Sequence, residues 1–154
     1  MLYDITQPLF SCEVFPGDPA PERIVMQQME QGSLYNLTAL KLCAHNGTHV
    51  DAPRHFIRDG KGIDEIPLEK FIGPCYVIPH EGDVSAADAQ AMLTKARAAH
   101  PGAEKRLLIA GKAVVTEEAA RVFAEAGCWL VGNESQTVGP EDAPMAVHLI
   151  LLRA

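Results

Sequence analysis

Apolar and polar residues change their rhythm along the chain, and the changes mark the elements. From Arg23 to Met29 the pattern partly alternates, with Ile24, Met26 and Gln28 on one side and Val25, Gln27 and Met29 on the other. That is the two-residue period of a strand. Tyr35 to Cys43 predicts a second strand, and Gln31-Gly32-Ser33 a turn between the two. Leu2 to Thr6 reads as a short first strand, and Phe10 to Ala20, punctuated by Pro16, Gly17 and Pro19, as a loop. Ile63 to Phe71 is interrupted by proline and cannot be one long element, whereas the apolar run Cys75 to Pro79 suits a buried strand. Ser85 to His100 predicts a helix. Ser85 can cap it, Asp88 stands where a capping box needs a carboxylate, and Pro101-Gly102 stops it. Arg106 to Ala110 predicts a strand, Thr116 the cap of a helix closed by Gly127, and Cys128 to Gly132 a further strand with Trp129 in the core. A strand, a helix and a strand this close form a βαβ unit, which is parallel and right-handed. Asp142 caps a last helix with Pro144 in its first turn, where apolar residues surround His148.

Composition narrows the class. A chain of 154 residues can bury the core of a single domain, read here as residues 1–154. The net charge of −7 gives no basic surface, so nucleic acid is not an expected partner. No apolar run approaches the ~20 residues that span a bilayer, and no basic stretch precedes an apolar one at the start, so neither a membrane span nor a leader is expected. Cys12, Cys43, Cys75 and Cys128 are scattered and form no CxxC, which suits reduced core residues of a cytoplasmic protein.

The candidate chemistry is concentrated in His45-Asn46-Gly47-Thr48-His49-Val50-Asp51-Ala52-Pro53-Arg54-His55-Phe56. Gly47 and Pro53 argue against a helix, so the segment predicts a strand opening into a loop. In extended chain His45, His49, Asp51 and His55 would aim to one side, most securely His49 and Asp51, two residues apart. Any one of these histidines alone would read as a polar loop residue bonded to backbone or solvent. Three imidazoles and a carboxylate converging favour a divalent cation of borderline softness, zinc or manganese.

The motif His45-x-Gly47-Thr48-His49-x-Asp51-x-Pro53-x-His55-Phe56 resembles the signature of the cyclase family of metal-dependent hydrolases, which includes bacterial kynurenine formamidases and isatin hydrolases. Phe15-Pro16-Gly17-Asp18, Asp59-Gly60, Ile72-Gly73-Pro74 and Val138-Gly139-Pro140 carry the likeness along the chain. The resemblance implies an α/β fold, a mixed sheet flanked by helices in a swivelling β/β/α arrangement. It also implies metal ligation by His45, His49, Asp51 and His148, and a substrate-side aromatic in Phe15. A homo-oligomer, a dimer or higher, is expected as well.

On this resemblance the expected activity is hydrolysis of a small-molecule amide or lactam C–N bond, such as that of an aryl formamide like N-formylkynurenine. The metal lowers the pKa of water and polarises the carbonyl, and His55 serves as general base and then general acid. Members of the family run further and carry a metal-binding glutamate beyond the His148 position, whereas this sequence ends at Ala154. The alternative expectation is therefore a metal-binding or assembly protein without catalysis. The apolar last helix would then lose a packing neighbour and leave an exposed patch.

Overall fold

The structure is a computed structural model that describes residues 3–154. Leu2 of the first expected strand lies outside the described residues, and residues 3–6 form no strand. There the Thr6 N–H donates to the Asp4 carboxylate, a local turn that competes with strand pairing. The chain divides into two compact units, Met1–Asp51 and Ala52–Ala154.

In the first unit β1 (Glu22–Gln27) pairs antiparallel with β2 (Leu37–Lys41), Ile24 opposite Ala39 and Arg23 opposite Leu40. The register shifts between Val25 and Gln27, a bulge that bends the ribbon. Asn36 shapes the connection by accepting from the Met29 N–H at 2.8 Å. Both strands were expected, and each is shorter than its apolar pattern because this turn takes up the inner ends.

The second unit carries the helices and a parallel core. β3 (Tyr76–Pro79), β5 (Arg106–Ala110) and β7 (Leu130–Gly132) form a parallel sheet in the order β3-β5-β7. Between them come α1 (Ala86–Ala99) and α2 (Glu117–Glu125), and α3 (Met145–Leu152) closes the chain. The expected βαβ unit is the β5-α2-β7 passage, with β5 and β7 parallel. Two strands were not anticipated: β4 (Gly82–Val84) and β6 (Ala113–Val115), which pair in parallel. Three residues are too few to declare a period. The architecture is α/β, its sheets both antiparallel and parallel and its parallel layer flanked by helices.

α1 buries Ala89, Met92, Leu93 and Ala96, and α2 buries Ala119, Ala120 and Phe123. Both are helical-face spacings. They close over Leu107 and Ile109 of β5, and each fully buried large side chain contributes roughly 1.5–3 kcal/mol. The Ser85 box forms as expected: the Asp88 N–H donates to Ser85 Oγ at 3.2 Å, and the Ser85 N–H to Asp88 Oδ2 at 3.0 Å. The Ser85 hydroxyl and then its N–H, both donating to Asp88 Oδ2, hold the exposed Asp88 carboxyl below its ordinary pKa. Ser85→Ala is expected to destabilise the second unit by about 1 kcal/mol, measured by urea unfolding at neutral pH. The loss should shrink as pH falls from the ordinary aspartate pKa through the lower folded one, below which the carboxylate is protonated in folded and unfolded chains alike.

Four expectations are corrected in this unit and its neighbour. Asp142 does not cap α3. Pro144 occupies the cap position without a side-chain bond, because residues 141–144 make a turn of their own. Trp129 is 42% exposed rather than in the core, and its ring lies beside the guanidinium of Arg106, Cζ 5.1 Å from the ring centre. The four cysteines are free thiols but none is fully buried, and Cys75 is exposed. Cys128, half-buried with its Sγ 3.2 Å from the Glu104 carbonyl, has its thiol pushed up to about 11 by burial. Finally, α3 leaves only Met145 among the exposed large apolar residues, while half of the others cluster around the β1–β2 hairpin.

Arg106 is the main polar anchor of the second unit. It is buried, and its guanidinium donates to the carbonyls of Glu69, Lys70, Ile72 and Pro74. A planar fork with five donors can gather four carbonyls of one loop, which explains the folding of Ile72-Gly73-Pro74 against β5. Arg106→Met keeps most of the apolar stem and orphans the carbonyls. It should cost about 3 kcal/mol, seen as a lower denaturant midpoint with an unchanged slope.

Candidate metal centre

The strand expected through the histidine motif does not form. Residues 44–48 make a turn and bends, and the next short 3-10 turn is Pro53–His55. The determinant is Asn46-Gly47. Asn46 is buried, its Oδ1 accepts from the Cys43 N–H at 2.9 Å, and its Nδ2 donates to the Pro19 carbonyl at 3.2 Å. Gly47 then turns at φ +66°, where a side chain is strained. The Gln7 N–H donates to Thr48 Oγ1 at 3.0 Å, fixing the far side of the loop.

This turn brings His45, His49 and Asp51 together. One donor atom from each lies within 4.8 Å of the others. His45 Nδ1 is 3.0 Å from Asp51 Oδ1, and His49 Nε2 is 3.7 Å from the same oxygen. Two donors on one tetrahedral zinc, each ~2.0–2.1 Å from it, stand roughly 3.3 Å apart, so these separations fit a shared cation. The ring of His49 is already oriented. Its Nδ1 lies 2.9 Å from the Gly47 carbonyl, and a carbonyl can only accept, so Nδ1 carries the proton and Nε2 the lone pair. Metal-binding imidazoles are commonly held by such a bond on the opposite nitrogen. The donor set of two nitrogens and one carboxylate oxygen fits a divalent cation of the zinc and manganese type.

The other predicted site residues fall as follows. Phe15 is half-buried in the first unit, where its carbonyl accepts from the Asp18 N–H at 3.0 Å. Asp18 closes that turn, and its Oδ2 lies 3.5 Å from the Cys43 thiol. His55 and His148 lie in the second unit with ring centres 6.3 Å apart. Phe56 stands against both: it stacks on His148 at 4.5 Å and meets His55 edge-on at 4.5 Å. His148 is buried, and its Nδ1 donates to the Pro144 carbonyl at 2.7 Å, so its Nε2 carries the lone pair as in His49. The role of Phe56 between two imidazoles was not foreseen, although its place beside His55 was visible. Gly60 returns the chain so close to Pro53 that a side chain there would meet Pro53 backbone at 2.7 Å. The loop is held by the Arg54 N–H donating to the Lys61 carbonyl.

Residues after β7 serve structure. The Ser135 hydroxyl donates to the Ala113 carbonyl at 3.1 Å, as does the Asn133 amide at 2.6 Å, and Glu134 is exposed.

Residues 3–140 match the model of the family described as putative cyclase. The chain belongs to the cyclase family. It is 32% identical over 153 residues to a kynurenine formamidase of Salinibacter ruber, covering 90% of this chain and 71% of that one. It is 30% identical over 156 residues to a kynurenine formamidase of Paracidovorax citrulli, covering 93% and 72%. Among solved structures, the fold is shared with a potential metal-dependent hydrolase with cyclase activity. There the TM-score is 0.72 and the identity 22%, over 98% of this chain and 76% of that one. A predicted metal-dependent hydrolase from Bacillus stearothermophilus matches with a TM-score of 0.69 and 22% identity, over 98% and 77%. The likeness read from the histidine motif and its companion turns therefore holds.

Proposed function

We propose that this cyclase is a metal-dependent hydrolase of a small-molecule amide, with an aryl formamide such as N-formylkynurenine as its substrate. The observation that carries the reading is the convergence of His45, His49 and Asp51 at donor separations suited to one cation. The kynurenine formamidases at 32% and 30% identity support the choice of bond and substrate.

In this reading His45, His49 and Asp51 hold zinc or manganese, and His148 offers Nε2 to the same purpose. A divalent cation supplies Lewis acidity, which polarises the formyl carbonyl and makes water a nucleophile near neutral pH. The protein's own residues do the rest. His55 takes a proton from water and returns it to the departing aryl amine nitrogen, work suited to an imidazole. Phe15 lines the aromatic part of the substrate. The enzyme acts in the cytoplasm on a small molecule. No described helix is long and apolar enough to cross a membrane.

The test is hydrolysis of a formyl-anilide and of N-formylkynurenine by the purified chain. Activity should vanish with chelator and return on adding zinc or manganese. A protein that retains about one equivalent of metal but cleaves neither substrate would overturn the hydrolase reading and leave a metal-binding protein.

A further inference from the structure

Among the described residues of the first unit, Asn46 is the only one that is buried, at 5% exposure. The unit closes around an amide instead of an apolar core. The orientation of that amide is fixed by its partners. The Cys43 N–H can only donate, so it takes Oδ1 at 2.9 Å, and the Pro19 carbonyl can only accept, so it takes Nδ2 at 3.2 Å. The two ends have different tasks. Oδ1 closes a local turn, in which the Asn46 N–H donates to the Cys43 carbonyl at 3.1 Å, and this turn presents His45. Nδ2 reaches 27 residues back along the chain, to the residue that follows the Phe15–Asp18 turn. That turn needs an anchor. Pro16 and Pro19 have no N–H to offer a ladder, and residues 12–21 form neither strand nor helix. A second link from the metal loop is weaker, the Cys43 thiol donating to Asp18 Oδ2 at 3.5 Å.

We propose that Asn46 is a positioning residue for the substrate: through Nδ2 it holds the Phe15 turn in a fixed place relative to the metal loop, and so sets the preference for a formamide that carries an aromatic ring. The proposal rests on the hydrolase reading above, in which Phe15 lines the aromatic part of the substrate and His45, His49 and Asp51 hold the metal. Asn46 belongs to neither set. The position requires an amide, because Asn carries an acceptor and a donor side by side on a short stem. An ionised Asp has the same shape and keeps the acceptor for Cys43, but its second oxygen would face the Pro19 carbonyl, acceptor against acceptor. Leu offers neither group. Asp and Leu at this position therefore separate the local turn from the long-range link.

Backbone NMR order parameters test the link without reference to activity. In Asn46→Asp at about pH 8, where the carboxyl is ionised, Gly17 and Asp18 should fall from the ~0.85 of rigid backbone to below ~0.6. Gly47 and Thr48 should keep their values, and bound zinc should be unchanged. In Asn46→Leu both segments should loosen. Steady-state kinetics test the consequence for the substrate. Asn46→Asp should raise KM for a formyl-anilide about 10-fold, the loss of one hydrogen bond, with kcat changed less than about twofold and an N-alkyl formamide affected no more than that. Unchanged order parameters at Gly17 and Asp18, or an equal fall at Gly47, would overturn the proposal, as would a loosened turn with KM unmoved. Should the native chain cleave no formamide, the hydrolase reading fails separately, and calorimetric binding of the formyl-anilide replaces KM with the same two outcomes. Should Asn46→Asp not fold, the side-chain amide protons of native Asn46 decide. Exchange at least ~10-fold slower than at the exposed Asn36 amide supports the link, and equal exchange refutes it.

Discussion

Asp51→Ala is expected to strip the protein of its metal. Asp51 Oδ1 is the atom that His45 Nδ1 and His49 Nε2 both approach, at 3.0 and 3.7 Å, so no other donor in the cluster can replace it. It is also the only anionic member of the set, and its side chain is 22% exposed, where water screens its attraction less than in the open. Removing a mere supporting group of a metal ligand costs 10–100-fold in affinity, so losing the carboxylate itself should cost at least ~100-fold. Elemental mass spectrometry should find one or more equivalents in the native chain and background in the variant. His49→Ala should behave alike. Asp51→Asn, which keeps the shape and one oxygen, should fall between them. Metal at 100 times its dissociation constant stabilises the native chain by about 2.7 kcal/mol, so added zinc should raise the melting temperature of the native chain and not that of Asp51→Ala. Equal metal content in the two proteins would remove Asp51 from the centre.

The parts of the fold that could be read in advance are those where local chemistry and burial agree. Ser85 with Asp88, and Thr116 with the Ala119 N–H, close their helix starts within a few residues, and the apolar faces of α1 and α2 point to one core. The structure brings His45, His49 and Asp51 of the histidine motif together by a turn, where the sequence pattern predicted a strand. Even spacing in an extended chain and a tight turn at Asn46-Gly47 both bring His49 to Asp51. Only the turn also brings His45, and its signal is the Asn46-Gly47 pair, of which the sequence reading used Gly47 alone, as a helix breaker. β4 and β6 were not legible because their partners are each other, far apart in sequence and three residues long. Trp129 was misjudged because the feature that places it is the buried Arg106 beside its ring, a tertiary fact. The mixed sides of β1 were visible from the start, since Ile24 and Met26 fall opposite Val25 and Met29, and no single buried face could accept them all.

His55→Ala should lower turnover of an aryl formamide by roughly 10²–10⁴-fold, the usual contribution of a general acid–base group, and leave bound metal unchanged. The separation of these two readouts follows from where His55 sits. It is not one of the three residues whose donors converge, and its ring packs edge-on to Phe56 with its centre 6.3 Å from that of His148. An imidazole that only filled space would be replaced well by Gln or Leu. One that moves a proton would be replaced by neither, and added imidazole would restore part of the rate to the Ala variant. Phe56 offers a further discrimination, since it touches both His55 and His148. Phe56→Leu keeps bulk but not the flat stacking face, so it should loosen both rings and lower the rate by less than the loss of His55. Full activity in His55→Ala with metal bound would assign the proton transfers to another group and leave His55 as packing alone. Loss of metal together with rate would instead place His55 among the ligands, as the even spacing from Asp51 first suggested, and the acid–base role would then pass to a residue outside the motif.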